Sequence, residues 1–176
     1  MRLEIFLYFF KTFKFIAIIV FGILLLRTFV IEPGRVNGRS MEPTFYDQDI
    51  FFINKFILLF VAPRRGQVIQ SYDRDSGRVL IKRVVGLPGE EVLVKQNKVF
   101  IIGQGGQENF LVEPYLDEGE VTRSLTGEAE NYGLIPEHQY FVLGDNREES
   151  IDSRVYGPVK RAQINGLVID FSFLEK

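Results

Sequence analysis

The run TFKFIAIIVFGILLLRTFVI at residues 12–31 decides the architecture of this chain. Its length, at about 1.5 Å rise per residue, gives a helix of about 30 Å, the thickness of the hydrocarbon core of a bilayer. No charged side chain lies between Phe15 and Leu26. We therefore expect a membrane-spanning helix near the N-terminus.

The flanks of this run predict its orientation. Arg2, Lys11 and Lys14 precede its uncharged part, and the positive-inside rule leaves a basic flank in the cytoplasm. The prediction is a single-pass protein of the cell membrane, with its N-terminus cytoplasmic and the rest of the chain outside. A cleaved secretory signal fits less well, because the run lacks an Ala-x-Ala-like end. A buried core helix stays open, since Lys14 and Arg27 fit a membrane span only if they reach its interfaces.

Beyond Glu32-Pro33-Gly34, which we expect to end the helix, the pattern is mostly β. We divide the chain into a membrane anchor at residues 1–33 and an extracytoplasmic β-rich domain at residues 34–176. Runs of β-branched and aromatic residues between turn signals predict antiparallel strands at residues 67–72, 78–85, 91–95, 98–102, 140–143, 155–159 and 162–171. Residues 103–133 are expected to be looped, with short strands around Leu111 and Val121.

A second apolar stretch, residues 50–61, is too short to span a bilayer. It fits a buried strand followed by a short core segment. It fits equally a surface that dips into the bilayer beside an active site, and the sequence leaves both interpretations open.

Composition excludes several kinds of chemistry. The chain has 176 residues with 21 Lys and Arg against 23 Asp and Glu, so it has no overall basic field for binding nucleic acid. It has no cysteine, which excludes disulfides, a thiol nucleophile and a Cys-based zinc site. With one histidine, His138, we expect neither a metal site nor a cofactor.

The segment GRSMEPT at residues 38–44 supplies a candidate nucleophile. Ser40 lies in a turn beside Gly38, which allows close backbone approach. Taken alone, it is more often a structural turn serine. A serine hydrolase with so little histidine would need another base, and lysine is a known alternative.

Lys82 interrupts the apolar strand VLIKRVV at residues 79–85. Alternation puts it on one face with Leu80 and Val84, where desolvation would lower its pKa. A drop of about two units costs about 3 kcal/mol, within reach of one buried site. A neutral Lys82 would then take the proton from Ser40. The alternative is a solvated lysine on an edge strand.

The loop GDNREESIDSR at residues 144–154 is dense in hydrogen-bonding side chains. Its acidic residues balance Arg147 and Arg154, so ion pairs would hold it rigid and let it support a site. The alternative is a solvated turn.

Together, GRSMEPT, IKRVVGLPGE and GDNREESIDSR, in this order after an apolar anchor, resemble the bacterial type I signal peptidases, which are membrane-anchored serine proteases with a serine–lysine dyad. The resemblance extends from the anchor through residue 159. It implies an antiparallel β catalytic domain, of a type shared with the SOS-repressor proteases. This domain docks an extended signal peptide as an added strand and cuts exported preproteins after small residues. It also implies a monomer without metal or cofactor.

The resemblance further implies roles for individual residues. Ser40 would be the nucleophile, Lys82 the general base, and Ser150 the hydroxyl that orients the lysine. Met41 and Ile81 would wall the pocket for the residue before the cleaved bond. The structural polar network would consist of Arg83, Asp145, Arg147, Asp152 and Arg154. One departure is Gly38, which stands where some members have a serine that helps the oxyanion hole.

Two other functions remain open at this point. A self-cleaving Ser–Lys regulator of the SOS-repressor type is compatible with the spacing of Ser40 and Lys82, although the membrane anchor argues against it. A non-enzymatic anchored β module that binds exported segments is the other, and the intact set of nucleophile, base and orienting hydroxyl argues against that.

Overall fold

The computed structural model describes residues 2–73, 77–103, 105–117 and 119–169. Helix α1 spans Arg2–Phe29, longer at its start than the apolar run predicts. Its window Tyr8–Leu25 has a mean hydropathy of 2.0, and none of that window is buried against the rest of the protein. The interpretation as a buried core helix is therefore wrong. An apolar N-terminal helix of membrane-spanning length is confirmed.

The remainder consists almost entirely of antiparallel strands in two sheets. The strands are β1 (Ile31–Arg35), β2 (Ile50–Asn54), β3 (Val68–Asp73), β4 (Arg78–Gly86), β5 (Glu91–Lys95), β6 (Lys98–Ile102), β7 (Glu108–Phe110), β8 (Glu130–Leu134), β9 (Gln139–Leu143), β10 (Val159–Lys160) and β11 (Ile164–Ile169). The larger sheet has the order β1-β2-β11-β3-β4-β9-β10 and the smaller β7-β6-β5-β8. The predicted mostly β fold class is confirmed.

The boundary between helix and sheet differs from the prediction. Helix α1 ends at Phe29, and Pro33 and Gly34 lie inside β1 rather than in a helix-ending turn. Proline is tolerated there because β1 is the edge strand of the larger sheet. The division drawn at residue 33 therefore falls within a strand.

Several strand predictions hold and others are wrong. The hairpins β3–β4 and β5–β6 form as expected, although most of the turn between β3 and β4 lies outside the described residues. Of the strand expected at residues 155–159, only Val159 lies in one, the short β10. Residues 155–156 belong instead to the short helix α2 (Ser153–Tyr156), because the Asp152 carboxylate caps it by accepting from the Arg154 N–H. No strand forms around Val121. The strand expected at 162–171 is β11, and residues 170–171 lie outside the described part.

The stretch 50–61 divides between the core and the surface, and insertion of its exposed part into a bilayer stays a prediction. Phe51 and Ile53 alternate into the core from β2, while Phe56, Leu59 and Phe60 are exposed around a short 3₁₀ helix. The strand half is core and the following half is an apolar surface.

Gly86 sets how closely the two sheets approach. It follows an irregularity in the pairing of β4 with β9. A Cβ at this position would lie within 3.0 Å of side-chain atoms of Ile135 and Val92, both fully buried. Only glycine leaves room for this packing, which holds together the core of the smaller sheet.

We expect Gly86→Ala to lower the free energy of unfolding by about 1–3 kcal/mol, because the added methyl overpacks this junction. Gly103→Ala is the matched control: its Cβ would meet no atom within 4 Å, and a change within about 0.5 kcal/mol is expected. Thermal and urea unfolding of the full chain in detergent would measure both. Equal stability of the two variants would contradict the close packing.

Candidate active site

Ser40 and Lys82 are in direct contact. Lys82 Nζ donates a hydrogen bond of 2.6 Å to Ser40 Oγ, across 42 residues of sequence. Lys82 is held by β4 and is only 3% exposed, so the alternative of a solvated edge lysine is wrong. Ser40 lies in the turn after β1, and its carbonyl accepts from the Asn146 N–H at 3.2 Å. The segments GRSMEPT and IKRVVGLPGE thus meet where the Lys82 amine contacts the Ser40 hydroxyl.

Burial governs the protonation of Lys82. Loss of hydration disfavours the ammonium and lowers the pKa of Lys82 to about 8. Asp152 and Asp145 oppose this shift, while Arg154 adds to it. Above about pH 8 the neutral amine predominates, and with the proton on Ser40 the same contact makes Lys82 the acceptor.

Ser150 lies beside the dyad but does not bind it in this conformation. Its Oγ is buried and has no hydrogen-bond partner among the described residues. A Cβ on Gly144 would lie within 3.0 Å of Ser150 Oγ and of the Ser40 carbonyl oxygen. The missing side chain of Gly144 is what lets Ser150 and the turn that carries Ser40 pack together. The expected hydrogen bond from Ser150 to Lys82 is not formed.

Arg83 and Asp145 form a buried pair next to the dyad. The guanidinium donates to both carboxylate oxygens, at 2.8 and 2.5 Å, and a bidentate pair of this kind fixes both groups in orientation. The Thr44 hydroxyl donates to Asp145 Oδ2 at 2.5 Å. The guanidinium of Arg83 stacks on the ring of Tyr115, with Arg83 Cζ 3.9 Å from the ring centroid. Thr44 ties the turn of Ser40 to the strand of Lys82.

Arg147 anchors the polar loop to the segment between β7 and β8. Its Nε donates to the Gly144 carbonyl at 3.0 Å, and its Nη1 donates to Glu113 Oε2 at 3.0 Å and to the Thr122 hydroxyl. The guanidinium has no exposed surface. Tyr115 donates to the same Glu113 carboxylate at 2.6 Å. The loop at residues 144–154 is therefore held by Glu113 and Thr122, which lie outside its own sequence.

Asp152 and Arg154 close the loop on itself. Arg154 Nε donates to Asp152 Oδ1 at 2.8 Å, and the Gly144 N–H donates to Asp152 Oδ2 at 3.1 Å. Arg154 also donates to the Arg147 carbonyl at 2.7 Å. All five residues expected in the structural polar network therefore lie in one buried network, and the alternative of a solvated turn is wrong.

A small cavity of about 130 Å³ opens beside the dyad. Its lining includes Gly34, Val36, Ser40, Met41, Phe51, Gln70, Ile81 and Lys82. Met41 and Ile81 stand in its wall, and their role around the residue before the cleaved bond stays a prediction. A Cβ on Gly34 would run into the ring of Phe51, which closes the cavity behind that glycine.

The edge of β4 next to this cavity is open. β4 pairs with β3 from Arg78 to Arg83 and with β9 only from Arg83 onwards. Residues 79–82 therefore have a strand on one side only in the part of the chain that the structure describes. Their backbone groups are available to an incoming extended segment.

Sequence reasoning missed Thr44, Glu113, Tyr115 and Gln70. Glu113 and Tyr115 lie in a segment expected to be a plain loop. A count of charges contained a signal for Glu113, because three buried arginines need more carboxylates than Asp145 and Asp152 supply. Nothing in the local pattern indicated Thr44 or Gln70.

Comparisons with known proteins agree with this geometry. Residues 9–172 match the family described as signal peptidase, peptidase S26. Signal peptidase I P of Bacillus subtilis subsp. natto is 36% identical over 80% of this chain and 76% of its own. Signal peptidase I V of Bacillus subtilis (strain 168) is 34% identical over 91% and 98%. A crystal structure of a signal peptidase I from Enterococcus faecalis V583 aligns with a TM-score of 0.50 and 31% identity, covering 62% of this chain and 98% of that one.

We expect Glu113→Ala to destabilise the protein by about 3–5 kcal/mol, because Arg147 would remain as a buried charge without its carboxylate. Glu148→Ala is the matched control, since Glu148 pairs with Arg123 at the surface, where a change of about 0–1 kcal/mol is expected. Denaturant unfolding would measure both. Similar losses in the two variants would show that the Glu113 contact does not hold the loop.

Proposed function

This chain belongs to the signal peptidase (peptidase S26) family, a family of membrane-associated serine endopeptidases, and we propose that it removes signal peptides from exported preproteins by Ser–Lys acyl-enzyme chemistry with cleavage after small residues. The observation that supports this chemistry best is the 2.6 Å contact between Lys82 Nζ and Ser40 Oγ in a buried site. The proposed chemistry needs no nucleophile other than Ser40 and no base other than Lys82.

In the proposed reaction, neutral Lys82 accepts the proton of Ser40 while Oγ attacks the carbonyl carbon of the scissile bond. The tetrahedral intermediate collapses, the C–N bond breaks, and the Lys82 ammonium gives its proton to the leaving amine. A water molecule then attacks the acyl ester and gives its proton to Lys82. The C–Oγ bond breaks, the Lys82 ammonium returns that proton to Ser40 Oγ, and the signal peptide leaves with a new carboxyl end. The lowered pKa of Lys82 suits both roles, because the amine exchanges a proton near the working pH.

The developing oxyanion needs donors close to Ser40. The backbone N–H of Ser40 has no hydrogen-bond partner among the described residues, so we assign it as one donor. Gly38, with φ of 93°, offers no hydroxyl, and its own N–H donates to Asp47 Oδ1 at 2.7 Å. The Gly38 backbone therefore shapes the turn of the nucleophile, and we assign no oxyanion contact to it.

The open edge of β4 and the small cavity together support the proposed substrate. An extended segment that pairs with residues 79–82 would place alternate side chains towards the cavity. The cavity volume of about 130 Å³ and the Phe51 ring behind Gly34 restrict these side chains to small ones. Met41 and Ile81 would form the walls around the residue before the cleaved bond.

Helix α1 supports the proposed location. It is long and apolar enough to cross a bilayer, and basic residues lie at its start. We place the N-terminus in the cytoplasm and the β domain outside, with the protein acting as a monomer at the surface of the cell membrane. Ser150 is proposed to orient Lys82 once its hydroxyl turns towards the amine.

The test is cleavage of a purified preprotein with an Ala-x-Ala signal by the full chain in detergent. We expect Ser40→Ala and Lys82→Ala each to lower kcat/KM by at least about 10²- to 10⁴-fold, while Lys98→Ala, a lysine on the smaller sheet, changes little. EDTA and a thiol blocker should have no effect. Cleavage by wild type that persists in Ser40→Ala would overturn the proposal, and so would cleavage only within the chain itself.

The pH dependence tests the role of Lys82 separately. Only the neutral amine accepts the Ser40 proton, so kcat/KM should rise with pH, reach half its maximum near pH 8 and level off above it. The measurement is initial rates between pH 6 and pH 10 on a substrate without ionisable groups near the cut. A flat profile, or one that falls across this range, would contradict a lysine base.

A further inference from the structure

Gln70 is a polar side chain in an otherwise mainly apolar part of the cavity. It lies on β3 directly opposite Ile81 of β4, and it lines the cavity together with Met41, Phe51 and Val36. Gln70 is 8% exposed, so its carboxamide is withdrawn from bulk water. A glutamine at such a strand position gives up the burial energy that an apolar residue would provide. A polar partner at the cavity would offset this lost burial energy by forming a hydrogen bond with the carboxamide.

Within the described residues, a partner is present for only one half of this carboxamide, the Oε1 oxygen. Asn165 Nδ2 donates to Gln70 Oε1 at 3.2 Å. The Gln70 Nε2 amino group, with two N–H donors, has no partner in the described ranges of the chain. Because Oε1 accepts from Asn165, Nε2 is the group of this carboxamide that is left to donate into the cavity.

An irregularity in β11 places Asn165 for this contact. Ile164 pairs with Ser71 and Gly166 pairs with Gln70, so Asn165 is an extra residue in the ladder. Gly166 is required there, because a Cβ would lie within 3.0 Å of the Ile53 side chain. Bulges commonly re-aim a side chain next to an active site, and this one aims an amide at Gln70.

Resting on the proposed endopeptidase function, we propose that Gln70 is a specificity-determining residue whose Nε2 donates a hydrogen bond to a hydroxyl on the substrate side chain in the cavity. Asn165 acts as the positioning residue that orients the Gln70 amide. The cavity then accepts serine better than an apolar side chain of the same size. The substrate class is signal peptides with a small hydroxyl-bearing residue at one of the positions that face the cavity.

The test compares serine with 2-aminobutyrate, which replaces the hydroxyl by a methyl group, and with alanine. Each is placed at the residue before the cleaved bond and at the residue two positions upstream, because alternate side chains face the same side of an extended strand. Wild type, Gln70→Leu and Asn165→Ala, as full chains in detergent, are assayed for kcat/KM on all six peptides. Thermal melting verifies that each variant is folded, and Gln70→Met replaces any Gln70→Leu that is not.

At one of the two positions, wild type should prefer serine to 2-aminobutyrate. In Gln70→Leu this preference should fall by about three- to tenfold, the effect of losing one neutral hydrogen bond, while cleavage of the alanine peptide stays within about twofold. Asn165→Ala should show a smaller loss in the same direction. An unchanged serine preference in folded Gln70→Leu or Gln70→Met, with the alanine peptide still cleaved, would overturn this inference alone. Failure of wild type to cleave any of the peptides would refute the proposed function as well.

Discussion

The burial of the Lys82 amine against the Ser40 hydroxyl is the constraint on which the rest of the structure depends. A pKa lowered from 10.5 to about 8 corresponds to about 3 kcal/mol that the folded protein must supply to keep an ammonium at this site at neutral pH. The sheets around the dyad meet that cost through their apolar cores. A less buried lysine would cost less, but it would remain charged and could not serve as a base.

The arginine–carboxylate network solves a problem that this burial creates. Ser40, Lys82 and Ser150 come from three distant parts of the chain, so they need rigid supports that do not raise the lysine pKa again. Asp145 and Asp152 lie close enough to favour the ammonium. Each is neutralised by a bidentate arginine, Arg83 and Arg154, and desolvation remains the largest influence on Lys82. The network therefore holds these side chains in place, while its charges have a smaller effect on the pKa of Lys82 than burial has.

The sequence predicted well what local patterns encode and poorly what distant contacts decide. The fold class followed from strand patterns. Alternation put Lys82 on an apolar face of its strand but left a solvated edge lysine open, and only the burial of Lys82 in the assembled sheets excludes that alternative. The short helix α2 was misread as a strand from its apolar residues, although Asp152 was a visible N-cap. Glu113 and Gln70 could not be assigned, since their partners Arg147 and Asn165 are far away in sequence. Such pairings are fixed only when the sheets assemble.

The junction between helix α1 and the larger sheet has a consequence for where the protein can act. α1 ends at Phe29 and β1 begins at Ile31, and the far end of β1 already lines the cavity. Five extended residues advance the chain by only about 17 Å. In the proposed arrangement, with α1 in a bilayer, this short connection would hold the Ser40–Lys82 contact at a fixed, small distance from the lipid surface. Under the proposed function, suitable sequences far from the membrane would lie out of reach, so distance from the lipid would act as a second criterion of substrate selection beside side-chain size.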